Sequence, residues 1–143
     1  MRHLVLLSLC LFLAVSCAEP LSREQFVGGR GPYVFTVDMS DTTAASDFDF
    51  YTRVDSREVP AFVELLIRWT SPTDSVLRET VFLPLEGRRI WFSTQIYQPY
   101  RADVRPATPG LWTLTVSASS QPSGFRGLGL VTRKQKNLWA TEN

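Results

Sequence analysis

Apolar and polar positions alternate strictly over several short stretches of this chain. Tyr33, Phe35, Val37 and Met39 fall on one side, with Val34, Thr36 and Asp38 on the other. Phe48, Phe50, Thr52 and Val54 alternate with Asp49, Tyr51 and Arg53. Val63, Leu65, Ile67 and Trp69 alternate with Glu64, Leu66 and Arg68. Val81, Leu83 and Leu85 make a fourth run. Trp112, Leu114, Val116 and Ala118 make another, and Leu128 and Leu130 mark a last strand starting near Phe125. A period of two is the signature of a β-strand with one buried face.

Turn-forming residues punctuate the runs. They cluster at 40–46, 56–60, 71–75, 86–89, 107–110 and 119–124. Their Gly, Pro, Asp and Ser residues supply the backbone angles and local hydrogen bonds that turns need. No long helical stripe interrupts the pattern. The expected fold is all-β: an antiparallel β-sandwich, jelly-roll or immunoglobulin-like, of about seven strands. The expected core comprises Phe35, Val37, Phe50, Leu65, Ile67, Leu83, Leu114, Val116 and Leu130. The segment 91–100 is aromatic and carries Pro99; its pattern fits a strand, a short helical turn or an ordered loop.

The first residues follow a different pattern. Met1-Arg2-His3 is a short basic start, and Leu4 to Leu13 is apolar apart from Ser8. That run has signal-peptide length and falls short of the roughly 20 residues that span a bilayer. Ala14-Val15-Ser16-Cys17 follows directly. Small residues ahead of a cysteine resemble the bacterial lipobox, although its usual leucine is replaced by Ala14. The resemblance implies cleavage before Cys17 and acylation of its thiol. The other reading is an ordinary secretory signal cut near Ser16 or Ala18. The expected organisation is a lipoprotein signal peptide at 1–16, a lipidated N-terminus and flexible tether at 17–31, a sandwich domain at 32–133 and a polar tail at 134–143.

Composition narrows the chemistry. The 15 basic residues include Arg2, so loss of the signal leaves 14 against 14 acidic ones. A neutral chain lacks the basic excess of a nucleic-acid binder, so no nucleic-acid partner is expected. The one histidine, His3, and one of the two cysteines, Cys10, lie in the signal. With Cys17 acylated, mechanisms that need histidine or a free thiol have no residues to use. Carboxylates remain. Asp47 and Asp49 are two apart on a strand, which puts them together on a solvated face rather than in a catalytic pair. No calcium-loop spacing is present. The expectation is a non-enzymatic protein with no metal and no cofactor.

The aromatic segment is the candidate for binding. Trp91, Phe92, Tyr97 and Tyr100 combine large contact area with polar tips, and Arg101 adds a charge. The competing reading places at least half of these rings over the sandwich core. Gly127 and Gly129 alternate on the last strand and make room either for a partner or for a bulky neighbour.

The order of these signals resembles the gliding motility lipoprotein GldH family of Bacteroidetes. The likeness rests on the lipobox-like end at Cys17, on Phe50-Tyr51-Thr52-Arg53 followed by Val59-Pro60, and on Ile96-Tyr97-Gln98-Pro99-Tyr100-Arg101. It continues in Pro109-Gly110-Leu111-Trp112-Thr113-Leu114 and Leu128-Gly129-Leu130. The resemblance implies a structural or interaction component of the gliding and secretion apparatus, without enzymatic activity. It would sit in the cell envelope, anchored through Cys17, with the outer membrane favoured over the inner, and would contact other envelope proteins. The alternative is a cell-surface carbohydrate-binding lipoprotein using the aromatic segment. A carboxylate-dependent hydrolase ranks last.

Overall fold

The computed structural model describes residues 21–55, 60–85 and 94–135. Cys17, Trp91 and Phe92 lie outside these residues. The described chain forms eight strands: β1 (Ser22–Gly28), β2 (Tyr33–Asp38), β3 (Ser46–Val54), β4 (Phe62–Thr70), β5 (Val76–Pro84), β6 (Thr94–Val104), β7 (Leu111–Ala118) and β8 (Phe125–Lys134). They build two four-stranded antiparallel sheets. The first runs β1-β8-β3-β6 and the second β2-β7-β4-β5. Nearly every connection crosses from one sheet to the other; only β4 and β5 form a hairpin. That order is the eight-stranded jelly roll, which decides between the two sandwich topologies expected.

The inward faces are those the alternation marked. Phe35, Val37, Phe50, Leu65, Ile67, Leu83, Leu114, Val116 and Leu130 are all buried. Tyr33, Phe48, Trp69 and Leu128 join them in one continuous cluster between the sheets. Trp112 packs against it half-buried.

Two segments depart from expectation. The stretch assigned to a tether contains β1, paired over its whole length with β8. Its inward positions, Arg23, Gln25 and Val27, are mostly polar, so no alternation betrays the strand. The polarity has a use at the sandwich edge. The Gln25 side chain accepts from the Thr36 N–H (3.3 Å) and donates to the Thr36 carbonyl (2.9 Å), closing the border between β1 and β2. The second departure is Tyr51. Alternation puts it on the solvent side of β3, yet it is 1% exposed because neighbouring rings cover it.

Candidate interaction surface

The aromatic segment does not form one surface. β6 is an edge strand paired with β3, which tolerates Pro99 because an edge position needs no second hydrogen bond. Pro99 pairs with Asp49 and Arg101 with Phe48, leaving Tyr100 as the extra residue of a β-bulge. The bulge turns Tyr100 and Arg101 together toward the other sheet. Tyr97 stays on the outer face, 49% exposed.

Tyr100 and Arg101 clasp the two sheets at the border of β5 and β6. Trp69 Nε1 on β4 donates to the Tyr100 hydroxyl at 2.9 Å. That hydroxyl donates to Glu79 on β5. Arg101 grips the same carboxylate with two nitrogens, at 3.2 and 2.5 Å. The Tyr100 ring lies 4.6 Å from Phe50. Burial, reinforced by the Glu79 carboxylate, pushes the Tyr100 phenol up to about 12. Of the five residues proposed for binding, Tyr100 and Arg101 are tied into this clasp, with the Arg101 side chain still exposed at the border, and Tyr97 lies on the outer face of the sheet.

The outer face of the first sheet is covered by its own side chains. Phe26, Gly129, Tyr51 and Tyr97 form one cross-strand row. The Tyr51 ring occupies the space over Gly129, where a Cβ would lie 2.0 Å from it. Phe26 and Tyr97 stack on Tyr51 from either side, with centroids at 5.7 and 5.1 Å. The Arg53 guanidinium sits 4.2 Å over Phe26. Burial raises the Tyr51 phenol, and its hydrogen bond with Glu24 raises it further. Around this stack the charges are matched: Arg133 with Asp49 at 2.6 Å, and Arg126 with Asp55. Asp47 accepts from the Asp103 N–H and from Gln135, which hold its carboxyl below the usual range.

The outer face of the second sheet is different. It carries Val34, Phe62, Leu66, Val76, Phe82 and Leu111, most of the large apolar side chains exposed among the described residues. Phe62 and Phe82 meet edge to face at 5.5 Å and remain 54% and 59% exposed. Arg68 and Arg78 lie directly opposite each other on β4 and β5. Neither makes an ion pair or hydrogen bond with a described residue. Sequence reading missed this face. The signal was present in Leu65-Leu66-Ile67 and Val81-Phe82-Leu83, where apolar residues occupy both sides of a strand. The arginine pair was not visible, because it depends on strand register.

Other sites offer less. An apolar cleft of about 180 Å³ opens beside Trp69, Leu77 and Trp112, with Arg105 at its rim. Small-molecule sites usually enclose about 300–1,000 Å³ and are mostly apolar; a depression of about 520 Å³ beside Arg30, Gln121 and Arg126 has that size but is open and polar. No three His, Cys, Asp or Glu side chains among the described residues are grouped to hold a metal ion. No helix among them is long and apolar enough to cross a membrane. The chain matches no protein-family model, and no curated protein matches its sequence.

Proposed function

We propose that this chain is a lipid-anchored, non-enzymatic interaction component of a bacterial cell envelope, as its resemblance to the GldH lipoproteins implies. The outer face of the second sheet supports this reading best. Exposed aromatic rings, threonines and two unpaired arginines on a rigid sheet have the composition of a protein-binding surface. A lipid on Cys17 would concentrate that surface at the membrane, where weak contacts become effective. The aromatic segment supports a sugar-binding reading less well. Tyr97 stacks face to face on Tyr51 rather than extending a flat platform, and Tyr100 is tied into the clasp.

The test combines anchoring and contact in the parent cells. The full chain should fractionate with membranes, and Cys17→Ala should move it to the soluble fraction. A photo-crosslinking residue at Leu66 should give discrete protein adducts that weaken in Cys17→Ala. Membrane fractionation unchanged by Cys17→Ala would remove the anchor from the reading. Absence of adducts from Leu66 would remove the surface.

A further inference from the structure

Resting on that interaction reading, we infer that the free edge of β5 takes up an extended, acidic segment of a partner protein as an added strand. The hydrogen-bond pattern identifies the open groups. Leu85 bonds to Ala61 at one end of the β4–β5 ladder, and Ser71 to Ser75 at the other. Antiparallel ladders alternate bonded and non-bonded pairs, so the odd-numbered residues of β5 bond to β4. The N–H and C=O groups of Val76, Arg78, Thr80 and Phe82 turn the other way, to an edge with no described strand beside it.

The remaining edges are guarded. β6 has Pro99 and its bulge. β2 has Gln25 across its border. β1 meets β2 at that same border, where its Gln25 side chain bonds the Thr36 backbone. β5 runs from Val76 to Pro84 without a register shift, and its only proline is its last residue. Such an edge is a template for strand addition.

Charge selects the occupant. Arg68 and Arg78 form a non-bonded pair, the kind that brings side chains closest. Like charges directly opposite destabilise a sheet. A carboxylate on an added strand beside Arg78 neutralises them, with apolar residues two and four positions away meeting Val76 and Phe82. A second copy of this chain fits worse, because its own β5 brings another arginine and no carboxylate to this face. A lipid surface also fits worse: membrane-binding clusters carry about 4–8 basic residues, and this face has two arginines and also carries Glu64 and Asp38 further along it.

The experiment uses the full chain, isotopically labelled, with a short acetylated peptide that carries one central glutamate, valine two and four positions from it and threonine between, and its lysine counterpart. The glutamate peptide should slow amide exchange at Val76, Arg78, Thr80 and Phe82. Thr80→Pro removes an outward N–H without touching the β4 ladder, and should abolish that protection. Arg78→Glu should weaken the glutamate peptide at least about tenfold and favour the lysine one, while facing Arg68 with an opposite charge and raising the melting temperature. Loss of binding with a gain in stability is a result that a structural role for Arg78 does not give. Should Thr80→Pro misfold by circular dichroism, the Arg78→Glu reversal alone decides. Protection confined to other residues, or peptide affinity unchanged by both variants, overturns strand addition. So does Thr80-dependent self-association without peptide uptake, which assigns the edge to a second copy. Binding to phosphatidylglycerol vesicles without peptide uptake overturns it in favour of a lipid surface. If Leu66 adducts persist in cells carrying Thr80→Pro, the interaction surface stands and only the added strand falls.

Discussion

The two outer faces of this sandwich handle the same problem in opposite ways. Both carry aromatic rings and arginines where a jelly roll meets solvent. On the first sheet most are matched within the molecule: Tyr51 lies over Gly129 between two rings, Arg133 and Arg126 hold carboxylates, and Arg53 lies over the Phe26 ring, although its buried Nε has no hydrogen-bond partner. On the second sheet Phe62, Phe82, Arg68 and Arg78 remain open to solvent, with no internal carboxylate for the arginines. A face that satisfies itself contributes to stability, and one that does not is available to something else. The comparison says where mutation should hurt folding and where it should hurt only binding.

The largest expected effect lies at Gly129. A side chain there enters the Tyr51 ring, so Gly129→Val should cost about 3 kcal/mol by forced overpacking. Phe82→Thr on the other sheet should stay within about 0.5 kcal/mol, as exposed substitutions do. Denaturant titration of both variants measures the contrast. Tyr51→Ala in the Gly129→Val background should recover part of the loss, because the two residues share one space. Equal losses at Gly129 and Phe82 would erase the distinction between the faces.

The clasp comes next. Tyr100→Phe keeps the ring on Phe50 but deprives Trp69 Nε1 of its acceptor and Glu79 of a donor. Leaving such groups unpaired costs about 1–3 kcal/mol. Tyr97→Phe removes a hydroxyl whose partner, Gln95, is itself exposed, and should be nearly silent. Thermal melts of the two variants separate the roles of residues that sequence reading had grouped into one surface.

The reasons for that grouping show what the sequence could reveal. Alternation marked the buried faces of β2, β3, β4 and β7 because each has one apolar side, and period two is readable residue by residue. It missed β1, whose inward side is polar where Gln25 closes an edge. It could not bring Arg101 to the same side as Tyr100, because the bulge after Pro99 turns two successive residues one way. It could not place Tyr51 under cover, since that depends on Gly129 lying beside it on another strand. The open arginine pair likewise exists only through the register of β4 and β5. Single-strand patterns are local, whereas the candidate surface is made of cross-strand neighbours.

The smallest effect expected is on pH dependence, and it sharpens the same contrast. Burial by itself would raise the Glu79 carboxyl, but hydrogen bonds from Arg101 and Tyr100 and the Arg101 charge outweigh it and leave it below its ordinary 4.5. A carboxyl depressed by folding stabilises the native state above its unfolded pKa. That contribution disappears as the pH falls through the lower, folded value. The stability gap between wild type and Glu79→Gln should therefore hold steady at neutral pH and narrow below about pH 4.5. At the alkaline end the sign reverses. The Tyr100 phenol is raised from 10.0 to about 12, so its contribution is complete below 10 and fades as the pH climbs toward 12. The clasp thus loosens at both extremes. Arg78→Thr removes a group with no titrating partner among the described residues, so its stability curve should run parallel to that of the wild type across the acid range. A gap for Glu79→Gln that stayed constant down to pH 3 would mean that the carboxylate gains nothing from Arg101 in the folded state, and that the polar link between the two sheets at this border is the hydrogen bond from Trp69 to the Tyr100 hydroxyl.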